Sequence, residues 1–355
     1  MRKIYLLFTI ITMIALAGCA KQSQQTVDIK EEPNIVNSEE ISQVVTEQEV
    51  AGELEEEETV VDEPVDIENI MEANSSINVV CWGTSLVYGT GGNGVIMPDV
   101  LKRISGARVL NYGGYAENTN EIAARSGANA LSLTSEIIIP ADESPVEVSF
   151  ESEFGEIDKL LVHTDAGLNP VRIEGVSGKL SREEEDGNVR FYFTREEPGE
   201  ETVVSVGATI VPRAAIEKRE DDISVIWTAG NDTIVGTEDI LVVIEKIDKM
   251  IEFSGSDKYI VISAVNIKDG VPVINEVNEM FEEHYGEHFF NLRKYLMEDA
   301  FSDINIPPDE DDLEDISEDL IPSFFRADEE HGNSLYYLLA GQQLYKKCQE
   351  LNYLK

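Results

Sequence analysis

Residues 80–92 read VCWGTSLVYGTGG, an apolar strand that runs straight into a glycine-rich turn with Ser85 at its corner. An α/β sheet has this pattern where a buried strand ends and a helix begins. The flanking periodicity agrees. Upstream and within the quoted stretch, 77–82 is an apolar run; a helical pattern follows at 95–104, an apolar run at 108–112 and a helical pattern at 120–131. Farther on, apolar runs 223–228, 259–265 and 289–292 alternate with helical patterns 238–253, 273–285 and 335–352. Five strands separated by helices predict a parallel sheet with helices on both faces and its ligand at the strands' carboxyl ends. Ser85 would stand just past the end of the first strand.

The alternation breaks over 134–215. Short runs with period-two character at 146–150, 160–163, 189–194 and 202–206, separated by Gly-, Asp- and Glu-rich turns, predict an all-β insertion. The α/β domain is then 77–133 together with 216–355.

The N-terminus predicts a different kind of segment. Arg2 and Lys3, an apolar run over 4–15 and Leu16-Ala17-Gly18-Cys19 make a secretory signal, 1–19, whose small-residue site ends at a cysteine. It resembles the bacterial lipobox, which implies a diacylated Cys19 at the mature N-terminus and an extracytoplasmic, membrane-anchored protein. Residues 20–76 hold 17 acidic and 2 basic side chains and no Phe, Trp or Tyr, so they read as a disordered tether. As a flexible coil it spans roughly 40 Å r.m.s.. With a formal charge of −43, the chain is a poor partner for nucleic acid or anionic headgroups. Lys102, Arg103 and Arg125 are the candidates for a local basic patch. Cys81 and Cys348 remain either a disulfide or two buried thiols, the second being the plainer reading.

Four stretches fall after strand ends or before the last helix: Gly83-Thr84-Ser85-Leu86, the turn from Asn111 to Thr119, Gly230-Asn231-Asp232, and Asp328 with His331 three residues on. A serine becomes nucleophilic when a histidine takes its proton, a carboxylate orients that histidine and hydrogen-bond donors meet the developing oxyanion. All four needs have a candidate here. By spacing alone, Glu329 or Glu330 could replace Asp328 as the orienting carboxylate.

In this order the blocks resemble the SGNH/GDSL hydrolases, serine esterases and lipases of flavodoxin-like, three-layer fold. The likeness covers most of 77–133 and 216–355. It implies Ser85 as nucleophile, His331 as general base and then acid, and Asp328 as the group that holds the imidazole. It also implies an oxyanion hole from the Asn231 side-chain amide and the backbone amides of Ser85 and Ala116. Two positions depart from the family: Thr84 stands where Asp is usual, and Ala116 where Gly is usual. If position 116 needs a positive φ, Gly113 or Gly114 would have to serve instead. The chemistry implied needs no cofactor. The expected activity is removal of acetyl or short acyl groups from a carbohydrate or envelope polymer. The rivals are a non-catalytic carbohydrate- or envelope-binding lipoprotein on the same scaffold and an O-acyltransferase.

Metal sites are less well founded. His284 and His288 are four apart, but Gly286 between them ends the helical pattern, so they do not share a face. His163 with Asp165 reads as a strand-end pair, and 309–315 as a solvated acidic loop without the glycine of a calcium loop. Trp82 and Trp227 read as core residues on neighbouring strands, either of which could floor a pocket.

Overall fold

The computed structural model describes residues 67–265 and 270–355. The expected signal sequence, Cys19 and most of the expected tether lie outside the described residues. No described helix is long and apolar enough to cross a membrane.

The expected tether ends earlier than 76. Helix α1 (Ile67–Asn74) packs on the α/β domain, and its fully buried Asn74 donates to the Ser105 carbonyl at 2.9 Å and accepts from the Lys355 amide at 3.0 Å. A helix of only eight residues at the end of a strongly acidic run hides from composition.

The sheet begins with β1 (Asn78–Gly83), followed by the single turn α2 (Ser85–Tyr88), α3 (Met97–Ser105), β2 (Arg108–Gly113) and α4 (Thr119–Ser126). Helix α4 stops at Gly127, in the left-handed region at φ +93°, and does not run on to 131 as the periodicity predicted.

The insertion accordingly starts a few residues before 134. It holds β3 (Leu131–Leu133), β4 (Ile137–Ile139), β5 (Val146–Val148), β6 (Phe150–Ser152), β7 (Val171–Ile173), β8 (Val176–Glu185), β9 (Asn188–Arg195), β10 (Thr202–Val204) and β11 (Thr209–Val211). These form an antiparallel seven-stranded sheet, β5-β9-β8-β7-β11-β3-β6, and a separate pair, β10-β4. The longest hairpin joins β8 to β9 through Asp186-Gly187, both at positive φ, the two-residue turn that matches strand twist. Its first strand carries the Glu183-Glu184-Glu185 run, which reads as loop by composition. The expected strand at 160–163 is a series of turns, with Leu160 alone buried into the insertion core.

The α/β domain resumes with α5 (Arg213–Glu217), β12 (Ile223–Trp227), α6 (Thr237–Ser254), β13 (Tyr259–Ile262), α7 (Val271–Tyr285) and β14 (Phe289–Phe290). It ends with α8 (Leu292–Glu298), α9 (Ala300–Asp303), α10 (Glu310–Ser317) and α11 (Ser334–Glu350). The five strands pair in parallel in the order β14-β13-β12-β1-β2. Counted along the chain this is the 2-1-3-4-5 arrangement of the flavodoxin-like fold. Strand β1 is apolar almost throughout because it is covered on both faces. Val79 and Cys81 pack with Met97, Leu101 and Leu344 in one layer, and Val80 and Trp82 pack with Ile122, Val243 and Ile247 in the other. Cys81 and Cys348 are free buried thiols. Trp82 and Trp227 are core residues on adjacent strands, and Trp227 stacks on Tyr336 at 6.2 Å.

The acidic stretch 309–315 is largely helix α10 and not a loop. Asp309 caps it, accepting from the Asp312 amide at 2.9 Å while Asp312 returns a carboxylate to the Asp309 amide at 3.2 Å.

Candidate active site

Strands β1 and β12 are neighbours, but their onward connections leave in opposite directions, to β2 and to β13. Between the two departing loops an open parallel sheet has a crevice. Ser85 follows β1 there and Asn231 follows β12.

Ser85 is half-buried at the first position of α2, where backbone amides have no partner inside the helix. Two features hold the elbow. A Cβ on Gly83 would lie 2.3 Å from the Trp227 carbonyl oxygen, so only glycine fits between β1 and β12. Thr84, at 2% exposure, caps the turn by accepting from the Leu86 amide at 3.3 Å. Threonine at this position thus supplies a helix cap.

His331 arrives from the far end of the chain. The segment before α11 closes on itself through an antiparallel bridge between Arg326 and Gly332 and a 2.9 Å bond from the Ala327 amide to the His331 carbonyl. The turn after Ser85 is stapled to it: the Tyr337 hydroxyl donates to the Thr90 carbonyl at 2.7 Å and the Ser334 hydroxyl to Gly92 at 2.9 Å. The result is a continuous chain. His331 Nε2 lies 3.0 Å from Ser85 Oγ, and His331 Nδ1 lies 3.0 Å from both carboxylate oxygens of Asp328. Asp328 also accepts from the amides of Glu330 and His331, each at 2.8 Å. Burial pushes the Asp328 carboxyl up, but hydrogen bonds from the His331 ring and those two amides outweigh it and hold the group below its ordinary range. Glu329 and Glu330 are exposed and give the histidine no carboxylate contact, so of the three carboxylates Asp328 alone meets the imidazole.

The side expected to receive an oxyanion is built from two loops zipped together. Asn231 donates one side-chain N–H to the Glu117 carbonyl at 2.9 Å, leaving its second for a ligand. Asp232 accepts from the Thr119 amide at 3.1 Å and from its hydroxyl at 2.7 Å. The amide of Gly113 is taken by the Asn111 side chain at 2.9 Å and that of Gly114 by the Gly83 carbonyl at 2.9 Å, so neither glycine can substitute for Ala116 as a donor. Ala116 is exposed and adopts φ +54°, the conformation in which glycine is cheaper.

Beneath that loop lies a pair that pattern reading passed over. Glu117 and Arg125 meet at 2.6 Å with side chains 1% and 0% exposed, and Arg125 also donates to the Ala166 carbonyl at 2.6 Å. Arg125 is therefore no part of a basic surface patch, although Lys102 and Arg103 are exposed on α3. Asp232, Glu117 and the α10 carboxylates are the site residues sequence reasoning missed. Asp315 pairs with Arg326 at 2.7 Å and Asp312 accepts from the Phe324 amide at 3.0 Å, bracing the segment that presents Asp328 and His331. Only the adjacency of Asp232 to Asn231 gave a signal for any of these.

The remaining histidines do other things. His284 pairs with Asp248 at 2.9 Å, whereas His288 faces the Tyr259 carbonyl at 3.1 Å and the Tyr353 hydroxyl at 3.0 Å, so the two do not converge. His163 is not at a strand end; its ring sits edge-on to Tyr115 at 5.8 Å. No group of three His, Cys, Asp or Glu side chains among the described residues could hold a metal ion.

No family model matches the chain. No curated protein matches it significantly. Among solved structures it is similar to a lipolytic protein of the G-D-S-L family from Desulfitobacterium hafniense DCB-2, with 13% identity and a TM-score of 0.39 over 76% of this chain and 98% of the other. It is similar also to a peptidoglycan O-acetylesterase, with 10% identity and a TM-score of 0.34 over 80% of this chain and 94% of that one. Likeness this slight assigns no activity, and the chemistry rests on the side chains themselves.

Proposed function

We propose that this chain is a serine esterase of the SGNH type that removes acetyl or short acyl groups from a carbohydrate or envelope polymer. The observation that carries the reading is the unbroken chain from Ser85 Oγ through His331 to the Asp328 carboxylate. With Nδ1 protonated and facing Asp328, Nε2 is free to take the serine proton as Oγ attacks the ester carbonyl. The Ser85 amide, the second N–H of Asn231 and the Ala116 amide receive the charge that develops on the carbonyl oxygen. His331 then returns its proton to the leaving alkoxide, and water, activated by the same imidazole, frees the acyl group.

The polymer substrate and the anchor at Cys19 rest on the N-terminal segment: a secreted, lipidated protein meets envelope polymers, and the strongly acidic chain disfavours anionic ones. Hydrolysis of p-nitrophenyl acetate tests the chemistry. Ser85→Ala and His331→Ala should each lower kcat by about 10⁴-fold or more. Inert wild type that a fluorophosphonate also fails to label at Ser85 would overturn it. Adding a sugar acceptor and finding acyl transfer would move the assignment to a transferase. Cys19→Ala should release the protein from the membrane fraction, and retention there would remove the anchor.

A further inference from the structure

We propose that Tyr88, Tyr115 and His163 form a subsite for the ring of a neutral sugar that carries the scissile ester, a proposal that rests on the esterase reading above. Tyr88 closes the same helical turn that Ser85 opens, and the residue is 46% exposed. Tyr115 precedes Ala116 in the oxyanion loop, and its ring centroid lies 4.5 Å from that of Tyr88 with the planes tilted by 54°. The His163 ring, from the insertion, packs edge-on with that of Tyr115, their centroids 5.8 Å apart. Three rings therefore stand in a contacting series from the turn that bears Ser85 to the insertion, and none belongs to the three hydrophobic cores.

Their positions are fixed from below. A Cβ on Gly113 would lie 2.2 Å from the Tyr88 amide nitrogen, so the two backbones are in direct contact. The insertion segment that bears His163 is tied to α4 at three points. Asn120 donates to the Glu156 carbonyl at 3.0 Å, Glu121 accepts from the Lys159 amide at 3.0 Å, and Arg125 donates to Ala166 at 2.6 Å. The insertion thus contributes a side chain to the rim of the site.

The chemistry of these groups selects the ligand. A pyranose has an apolar C–H face and a rim of hydroxyls; an exposed phenol offers an apolar ring face and a hydroxyl at its edge, and the imidazole adds a second polar edge. Two rings at 54° present separate faces and no parallel slot, which suits one puckered ring better than an intercalated aromatic acid. Charge decides the rest. Asp328, Glu329 and Glu330 are exposed beside His331, while Arg326 is committed to Asp315. An anionic sugar would meet repulsion from these three carboxylates.

Binding and turnover are read separately so that the two readings fail separately. The Ser85→Ala protein is titrated calorimetrically with acetylated xylo-, gluco- and chito-oligosaccharides and with an acetylated galacturonate oligomer. Neutral oligomers should bind and the anionic one should not, and adding Tyr88→Ala or His163→Ala should weaken binding at least tenfold while Tyr88→Phe retains most of it. On protein with Ser85 intact, kcat/KM for the neutral ester relative to p-nitrophenyl acetate should fall by a similar factor, through KM. No binding of any neutral oligomer, equal binding by the tyrosine and histidine variants, or preference for the anionic oligomer would overturn the subsite. Loss of p-nitrophenyl acetate turnover with sugar binding intact would instead overturn the esterase reading alone.

Discussion

Two loops reach Ser85 from opposite sides, and each is held by a carboxylate paired with a nitrogen base, but the two pairs are built to opposite specifications. Glu117 and Arg125 are almost wholly buried, at 1% and 0% exposure, whereas Asp328 is 55% and His331 16% exposed. The first pair never changes its charge during the proposed cycle, so it can be sealed under the oxyanion loop as a fixed strut. The second must gain and lose a proton at every turnover. Its carboxylate keeps contact with water and is kept ionised by three hydrogen bonds instead of by a buried counter-charge. Rigid support and proton transfer are divided between two sites that look alike on paper.

Asp328→Asn should break the comparison most visibly. An amide cannot hold the imidazole in the tautomer that leaves Nε2 free, so kcat should fall by about 10³ to 10⁴-fold while the fold survives. The pH dependence follows from the sign of the shift. A carboxyl held below its unfolded value contributes stability at neutral pH that is lost as pH falls through the lowered value. The stability gap between wild type and Asp328→Asn should therefore close in acid. Thermal melts at neutral and strongly acidic pH check this, and a gap that persists in acid would show that the carboxylate acts through packing.

Arg125→Met should instead strike stability. Removing one member of a buried pair strands the other, at a cost of about 3–5 kcal/mol. Burial already pushes the Glu117 carboxyl above its ordinary range against the pull of Arg125. Its ionisation is then disfavoured in the folded state, so the deficit of Arg125→Met should be smallest in acid and grow as pH rises through the raised value. The double variant Glu117→Leu, Arg125→Met should recover much of the loss. Urea unfolding decides it: a double variant as unstable as the single one would mean the pair matters for shape and not for charge.

The same contrast explains what could be read from the residues alone. The parallel sheet was legible because buried strands are apolar runs; Ser85 and Asn231 stood out because they follow strand ends, and Asp328 with His331 because a carboxylate three residues before a histidine precedes the last helix. Glu117 and Arg125 carried no such mark. A buried ion pair eight residues apart across a loop and a helix looks like any surface pair until the insertion segment at Ala166 covers it. Helix α10 was misread for a related reason: its carboxylates act as caps and as partners of Arg326 and the Phe324 amide, and composition alone shows only charge. The 160–163 run, Leu-Leu-Val-His, failed as a strand because only Leu160 is buried and the alternate side chains that would pack a strand on its neighbours are missing.

Asn231→Ala sharpens the comparison on the oxyanion side. It deletes both a donor to the transition state and the tie to the Glu117 carbonyl, so kcat should fall by about 10² to 10³-fold. Because the tie from the Asp232 carboxylate to the amide and hydroxyl of Thr119 remains, stability should change little. A melting temperature that fell along with kcat would show that Asn231 is mainly a loop clasp.

Ala116→Gly should have the smallest effect and the least familiar sign. At φ +54° an alanine pays roughly 1–2 kcal/mol for the left-handed region. Glycine relieves that strain but loses about 0.5–1 kcal/mol through its freer unfolded chain. The net gain should lie between about 0 and 1.5 kcal/mol, and the exposed methyl group gives up little packing. If the strut formed by Glu117 and Arg125 aims the Ala116 amide, kcat on p-nitrophenyl acetate should stay close to that of wild type, because the direction of the N–H is set from below. A clear drop in kcat alongside a stability gain would mean that the strained alanine itself holds the donor in place, and the strut would then be support for the insertion and not for the oxyanion hole.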